Sequence, residues 1–276
     1  MRRPRRSMIV LAATAISSAL FLSAPAGAVI GGTDDTANVY ENVGVLQLLI
    51  EGEWFDFCSG TLVAENIVLT AAHCTDFFTA EVGDPEGFGV DDLRVSFDPD
   101  PDETSTYYLV DHLVVHPGWF NAGPCLGNSK RLCLAPPAED IALVWLTESV
   151  AGVDPAPVAD AGYLDDLDLK AETFTVVGYG VDEFITGSII APNALIVVDG
   201  IRSYRDVSVI TTHDAFPDRF IKYTQSTCFG DSGGPLFHDG TVVGINTWTF
   251  SYRCSGPNFA YRTDSAVAQE FLDTYL

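Results

Sequence analysis

Three short stretches of this chain contain residue types that can support nucleophilic catalysis. In Gly230–Pro235 a serine, Ser232, stands in a glycine-rich turn behind an aspartate and in front of two glycines. A serine hydroxyl reacts only with a base beside it, an exposed position and nearby N–H donors, and a turn flanked by glycines can supply the exposure and the donors. Such clusters are usually plain polar turns. Whether Ser232 is a nucleophile therefore depends on residues elsewhere in the chain.

His73 and Asp140 are the candidates for the base and for the acid that orients it. His73 follows the strand-like run Ile67–Thr70 and adjoins Cys74, whose disulfide could hold it in place. Asp140 begins an apolar run, an unusual position for a charge unless that charge is paired. An aspartate buried against an imidazole holds one tautomer and stabilises the imidazolium.

Short β-branched and aromatic runs would have to position these groups. Turns rich in Gly, Pro and Asp separate the runs, and this pattern predicts an all-β barrel or sandwich. The stretch Val150–Gly162 contains two prolines and indicates a linker between two halves. The spacing of Val267, Phe271 and Leu272 predicts a short helix over about 265–276. The clearest strand-like runs are Val43–Ile50, Ile67–Thr70, Tyr107–Val115, Ile141–Leu146, Phe174–Gly178, Leu195–Val198 and Val242–Thr249.

The N-terminus has the three parts of a secretory signal. A basic start precedes an apolar run from Met8 to about Leu22, and small residues follow it. These features predict a signal peptide over 1–28, removed after Ala26 or after Ala28. The alternative is a membrane anchor, but the apolar run is shorter than the ~20 residues that a span needs. We expect a secreted, extracellular protein with no membrane contact once the signal is removed.

Charge and cysteine content narrow the functional classes. The chain has 38 acidic and 14 basic residues, a formal net charge of −24, so its surface should repel nucleic acid and anionic membranes. All six cysteines follow the signal, and an even number in an exported chain argues for disulfides, with the pairing left open. The chain lacks a Cys-x-x-Cys pair, which argues against a zinc site. The acidic run Asp98–Glu103 is either a calcium site or an ordinary solvated loop; otherwise we expect no cofactor.

The three motifs, with Thr70–Cys74 around the histidine and Asp140–Leu143 around the aspartate, resemble the catalytic blocks of chymotrypsin-like (trypsin-fold) serine proteases. The order His, Asp, Ser also matches, and the resemblance extends over nearly all of the chain from Val29 onward. It implies two six-stranded antiparallel β-barrels, at about 29–150 and 160–262, with the active site between them.

The resemblance also implies a role for each motif residue. Ser232 would attack the substrate carbonyl, His73 would accept and return the proton, and Asp140 would orient His73. The backbone N–H groups of Gly230 and Ser232 would form the oxyanion hole. Thr247 stands where the family usually has a serine that supports the aspartate, and its hydroxyl could do the same.

Two disulfides follow from the same resemblance, Cys58–Cys74 beside the histidine and Cys228–Cys254 beside the substrate pocket. That leaves Cys125 to pair with Cys133. The loop Asn121–Glu139 around this third pair is longer than is usual in the family and would border the substrate cleft. The third disulfide either stiffens a specificity loop or only stabilises an insertion.

The resemblance also implies how the chain would be activated and which side chains its substrate pocket would prefer. Val29 begins a stretch that resembles the mature N-terminus of the family, where a freed amine pairs with the aspartate before the nucleophile, here Asp231. Ser226 stands at the pocket base, where trypsin has an aspartate. Thr249 and Asn258 stand at two wall positions that are usually glycine, which predicts a preference for small or medium uncharged side chains before the cut.

The function that this resemblance implies is a secreted serine endopeptidase, expected to be a monomer acting on proteins or peptides. The alternative is a protease-like binding protein without activity, although such proteins usually lack one of the three catalytic residues, all of which are present here. An esterase of the Gly-x-Ser-x-Gly type would need the chain order Ser, Asp, His, which this chain does not have.

Overall fold

The computed structural model describes residues 28–79, 88–119, 139–181, 200–212, 218–249 and 254–276. In these ranges the chain forms two antiparallel sheets and one C-terminal α-helix. The predicted all-β class is confirmed. Within the described ranges, four short 3-10 helices connect strands, at Ala72–Cys74, Asp76–Thr79, Val90–Asp92 and Tyr163–Asp166.

The first sheet is a closed six-stranded barrel. Its strands are β2 (Val43–Ile50), β3 (Glu53–Ala64), β4 (Ile67–Thr70), β5 (Leu93–Ser96), β6 (Tyr108–Val115) and β7 (Ala142–Leu146). They follow the order β2-β3-β4-β7-β6-β5 around the barrel. Glu51 and Gly52 join β2 to β3 with φ angles of 52° and 91°, the left-handed backbone of a tight hairpin turn whose twist matches that of the strands.

The second sheet contains the nucleophile motif. Its strands are β1 (Thr33–Asp34), β8 (Phe174–Gly178), β9 (Ser203–Val207), β10 (Val209–Thr212), β11 (Phe220–Tyr223), β12 (Pro235–His238), β13 (Thr241–Thr249) and β14 (Asn258–Arg262), in the order β1-β9-β8-β12-β13-β14-β11-β10. Only Ser208 separates β9 from β10, so one chain segment pairs with β8 through its first half and with β11 through its second. The sheet therefore curves back on itself as a half-barrel of eight strands, not as the closed six-stranded barrel that the resemblance implies, and it is called the second barrel below.

The N-terminal segment associates with the second sheet. The sequence places the start of the first barrel near residue 29, whereas that barrel begins at Val43 and the preceding strand β1 pairs with β9, Asp34 opposite Ser203. The chain from residue 28 to the end of β1 therefore lies against the barrel that carries Ser232.

The C-terminal helix α1 (Ala266–Tyr275) agrees with the helix predicted at the end of the chain. Ser265 caps it, because its side-chain oxygen accepts from the N–H of Ala268 at 3.2 Å. Phe271 and Leu272 are buried and join the large apolar core that includes the interior of the first barrel. No helix among the described residues is long and apolar enough to cross a membrane.

The predicted strands mostly agree with the observed ones. β2, β4 and β8 have the predicted bounds, and β6, β7 and β13 differ by one residue at their start. The expected strand Leu195–Val198 lies outside the described residues. The predicted linker Val150–Gly162 contains no strand, only an isolated bridge between Val158 and Val242.

Candidate active site

His73 lies at the end of the first barrel, directly after β4. It belongs to the 3-10 helix Ala72–Cys74, which the disulfide Cys58–Cys74 ties to β3. The side chain is 27% exposed, enough to reach a substrate. The disulfide predicted beside the histidine is therefore present and holds the turn that carries it.

Asp140 contacts His73 through both of its carboxylate oxygens. Its Oδ2 lies 2.8 Å from His73 Nδ1, and its Oδ1 accepts the backbone N–H of His73 at 2.9 Å. Asp140 is fully buried and directly precedes Ile141 and β7, which pairs with β4. The two contacts fix the imidazole so that Nδ1 faces the carboxylate and Nε2 points away from it.

Two carboxylates raise the pKa of His73. Burial alone would lower its pKa, but the charge and hydrogen bond of Asp140, with a further contribution from Asp76, raise the pKa above its ordinary value. Asp76 is held nearby because its Oδ2 accepts from the indole N–H of Trp119 at 2.9 Å, and the Trp119 ring centre lies 6.5 Å from that of His73. A raised pKa makes the imidazole a stronger base.

Ser232 lies in a turn that only glycines could form. Gly233 has a φ of 82°, and a Cβ there would overlap Thr70 Oγ1 and the carbonyl of Ser59. Ser59 lies next to the Cys58 disulfide; its N–H donates to the Ser232 carbonyl at 2.7 Å and its hydroxyl donates to the Gly230 carbonyl at 2.8 Å. The nucleophile turn of the second barrel is thus held against the strands that carry His73.

The backbone of this turn leaves two donors available. Gly230 has a φ of 96°, and in the described part of the chain neither its N–H nor that of Ser232 donates to a protein acceptor. The neighbouring N–H groups are used, since Asp231 donates to the Cys228 carbonyl and Gly233 to the Asn246 carbonyl. Two unused N–H groups on either side of Asp231 are what a developing oxyanion requires.

Asp231 is completely buried with uncharged partners. Its Oδ2 accepts from the N–H of Cys228 at 2.8 Å and its Oδ1 from that of Gly180 at 2.9 Å. Burial outweighs these two hydrogen bonds and raises its pKa to about 8. Gly178 leaves room for the carboxylate, because a Cβ there would overlap Asp231 Oδ1.

The segment around Val29 is docked against the second barrel. Val29 is fully buried in the apolar cluster of that barrel, and the N–H of Ile30 donates to the Ser226 carbonyl at 2.8 Å. Val29 is joined here by a peptide bond to Ala28, whose N–H donates to Ser203 Oγ at 2.8 Å. The pairing of a freed Val29 amine with Asp231 stays a prediction.

The pocket residues are close together, and one of them has a structural role that its sequence position did not indicate. Asn258 Oδ1 accepts from the N–H groups of Ser226 at 2.8 Å and Thr227 at 3.2 Å, and its amide donates to the Thr227 carbonyl at 2.9 Å. Thr249 lies opposite Asn258 in the β13–β14 pair. Asn258 thus supports the backbone at Ser226, and the disulfide Cys228–Cys254 is present beside it.

Thr247 does not support Asp140 in the expected way. Its hydroxyl has one proton, which it donates to the carbonyl of Ile245 at 3.0 Å. The side chain is therefore turned to its own strand, and the donors that reach Asp140 among the described contacts both belong to His73.

Comparison with known protein families shows whether the three motifs resemble those of serine proteases only by chance. The family model described as Trypsin matches residues 29–272. The chain belongs to the trypsin family. The bond between His73 and Asp140 and the glycine turn at Ser232 lie within the residues that this family model matches.

Relatives with assigned names agree with this membership. Chymotrypsin-C of Mus musculus is 30% identical over 220 residues, which cover 75% of this chain and 71% of the relative. Trypsin, alkaline B of Manduca sexta is 25% identical over 265 residues, 87% of this chain and 89% of the relative. Chymotrypsin-like elastase family member 1 of Macaca fascicularis is 36% identical over 124 residues, so the chain spans only 39% of that relative's length.

Solved structures share the fold at low identity. Human heparin binding protein has a TM-score of 0.60 and 16% identity, with 89% of this chain and 95% of that chain covered. The Vibrio cholerae VesB protease has a TM-score of 0.61 and 16% identity, with 89% and 67% covered. At this identity the likeness concerns the trypsin fold alone.

The described residues contain one group of possible metal ligands, and it does not suit a metal. It consists of Cys58, His73 and Cys74, and the two sulfurs are joined in the disulfide. In the acidic loop, Asp98 and Asp102 accept hydrogen bonds from Thr106 and Thr104 of the same loop. Calcium binding there stays a prediction without support, and the predicted pair Cys125–Cys133 lies outside the described residues.

Three contributors to the site were missed from the sequence. Ser59 holds the nucleophile turn, Asp76 acts on His73, and Glu139, read from the sequence as the end of a lengthened loop, is only 6% exposed. The contacts of Ser59 and Glu139 join distant parts of the chain, so no local pattern marks these two residues. The proximity of Ser59 to Cys58, and of Glu139 to Asp140, was the only available signal.

Proposed function

We propose that this chain is a serine endopeptidase that acts through a triad of Ser232, His73 and Asp140. The observation that carries the proposal is the buried Asp140 carboxylate bonded to Nδ1 of a partly exposed His73, in a chain whose glycine turn presents a serine. Nε2 of His73 then has its lone pair free to accept a proton. This is the protonation pattern that a serine nucleophile requires.

The reaction proceeds in two halves through an acyl-enzyme. Ser232 Oγ attacks the peptide carbonyl carbon while its proton passes to His73 Nε2, and Asp140 stabilises the imidazolium. The N–H groups of Gly230 and Ser232 hold the negative oxygen, a contribution of roughly 3–4 kcal/mol per donor. The C–N bond breaks as His73 returns the proton to the leaving amine. A water then repeats the sequence and releases the carboxylic acid and the free serine.

Covalent labelling tests the nucleophile directly. A fluorophosphonate probe is expected to label the processed chain at Ser232, because phosphorus accepts the same activated oxygen as the carbonyl carbon. Ser232→Ala should abolish labelling at an unchanged Tm, measured by gel fluorescence and mass spectrometry. Absence of labelling in correctly processed wild-type protein would contradict the proposal and favour the inactive protease-like binding protein.

The pocket supports a preference for uncharged side chains before the cut. By the family resemblance, Ser226 would give the pocket base no charge, and Thr249 and Asn258 would stand at wall positions where glycine leaves more room. A peptide-library cleavage profile is expected to show small or medium uncharged residues there. Thr249→Gly should extend the profile toward aromatic residues, whereas a wild-type profile dominated by Lys or Arg would contradict this assignment.

The proposal also includes export of the chain from the cell. The predicted signal over 1–28 and the disulfides Cys58–Cys74 and Cys228–Cys254 both suit an oxidising, extracellular location. Named relatives of this chain are chymotrypsins, elastases and a trypsin. The partner that the proposal requires is a protein or peptide substrate, bound by a monomer.

A further inference from the structure

The backbone turns tightly at Glu139 and Asp140, directly before β7. The N–H of Ile141 donates to the carbonyl of Glu139 at 2.9 Å, which closes a three-residue turn with Asp140 at its centre. Glu139 has a φ of 52°, a left-handed conformation that is unfavourable for a residue with a Cβ. Such a conformation persists only where surrounding contacts hold it.

The side chain of Glu139 supplies those contacts from the other barrel. Its Oε2 accepts from the Tyr261 hydroxyl at 2.6 Å, and its Oε1 lies 3.0 Å from Arg219 Nη1. Tyr261 belongs to β14 and is fully buried, and Arg219 directly precedes β11, the strand paired with β14. Burial, with the adjacent Glu139 carboxylate, raises the pKa of Tyr261, so its hydroxyl keeps its proton and donates.

The link joins the two halves of the catalytic group. Asp140 and His73 are carried by the first barrel, whereas Ser232 belongs to the second, together with Tyr261 and Arg219. Thr247 of the second barrel gives its proton to its own strand, so it is not a donor to Asp140. Glu139 therefore connects the turn that presents Asp140 to the barrel that presents the nucleophile.

We infer that Glu139 is a positioning residue, which sets the orientation of the Asp140 carboxylate, and through it of His73, by its bonds to Tyr261 and Arg219. The inference rests on the proposed function. Catalytic geometry is sensitive to small displacements, since a shift of ~1 Å can cost on the order of 10²-fold in rate. The effect should therefore fall on turnover and leave substrate binding nearly unchanged.

Three variants separate the parts of the link. Glu139→Ala removes both bonds, Glu139→Gln keeps an acceptor for Tyr261 but loses the charge opposite Arg219, and Tyr261→Phe removes only the hydroxyl. Asp264→Asn is the matched control, because Asp264 is also a buried carboxylate, paired with Arg262 and bonded to the N–H of Leu164, outside the catalytic group. If Glu139→Ala does not fold, the two milder variants still decide the question.

The expected result is a loss in kcat of about tenfold to a hundredfold for Glu139→Ala, with KM within about twofold of wild type. Glu139→Gln and Tyr261→Phe should lose less. The loss in kcat should be the same for Glu139→Ala and for the double variant that combines it with Tyr261→Phe, because the two substitutions interrupt the same link. The acid limb of the pH profile of kcat/KM should move to lower pH, since Asp140 contributes more than Asp76 to raising the pKa of His73. Asp264→Asn should lower Tm alone.

A second measurement does not need turnover. The proton between His73 Nδ1 and Asp140 Oδ2 should give a low-field NMR signal in wild-type protein that shifts or broadens in Glu139→Ala and Tyr261→Phe, but not in Asp264→Asn. Unchanged kcat, acid limb and NMR signal in folded Glu139 and Tyr261 variants would overturn the inference. Wild-type protein that neither turns over nor labels would instead overturn the proposed function, and the NMR signal would still decide the role of Glu139.

Discussion

An Asp140→Asn variant is expected to keep its fold and to lose about 10⁴-fold in kcat at neutral pH, a size carried over from trypsin-family enzymes with the equivalent change. The carboxylate accepts two donors from His73, the backbone N–H and Nδ1–H. An asparagine has only one acceptor oxygen, and the backbone N–H cannot change its role. The amide oxygen will therefore face the backbone and the NH₂ will face Nδ1.

That orientation places the imidazole proton on the wrong nitrogen. An NH₂ group donates to Nδ1, so the proton of the neutral ring moves to Nε2, which can no longer accept the proton of Ser232. Steady-state kinetics and fluorophosphonate labelling should fall together, while Tm stays close to wild type. Asp165→Asn, at a largely exposed carboxylate that pairs with Arg262, is the control and should retain full kcat. A folded Asp140→Asn enzyme within about tenfold of wild-type kcat would exclude this role for Asp140.

The sequence was sufficient for features that local patterns determine. Runs of β-branched and aromatic residues bounded by turns predicted β2, β4 and β8 with their observed bounds, because such side chains favour the buried strands of a sheet. The turn at Ser232 was readable because glycine is required where a Cβ would overlap Thr70 and Ser59. The family resemblance then supplied the roles and both observed disulfides.

Contacts between barrels could not be predicted in the same way. Glu139 and Tyr261 are 122 residues apart, and Ser59 and Gly230 are 171 apart. A glutamate at the end of a long loop looks like a solvated charge until the second barrel is packed against it. Thr247 shows the opposite case, since its hydroxyl was expected on Asp140 and instead donates to a carbonyl two residues earlier.

Asp231 is expected to make the stability of the chain depend on whether Val29 has a free amine. In a chain that retains Gly27 and Ala28, the pKa of Asp231 is raised from 3.8 to about 8 by burial. Between these pH values the folded state holds a proton that the unfolded state releases. The free energy of unfolding of this form should therefore decrease as pH rises from about 4 to about 8. Asp231→Asn, which is neutral throughout, should remove this part of the pH dependence.

In a chain that begins at Val29, the free energy of unfolding should not decrease with pH in this way. Its amine becomes the counter-charge that Asp231 lacks, so the carboxylate ionises and the pH-dependent loss disappears. In this form Asp231→Asn leaves a buried ammonium without its partner, which costs ~3–5 kcal/mol, or on the order of 10²–10⁴-fold in kcat/KM where the pocket backbone depends on the pair. Denaturant unfolding at several pH values and kinetics on both forms test this, with N-terminal sequencing as the check on each. Equal pH slopes in the two wild-type forms, or full activity of Asp231→Asn in the form that starts at Val29, would show that Asp231 has another role.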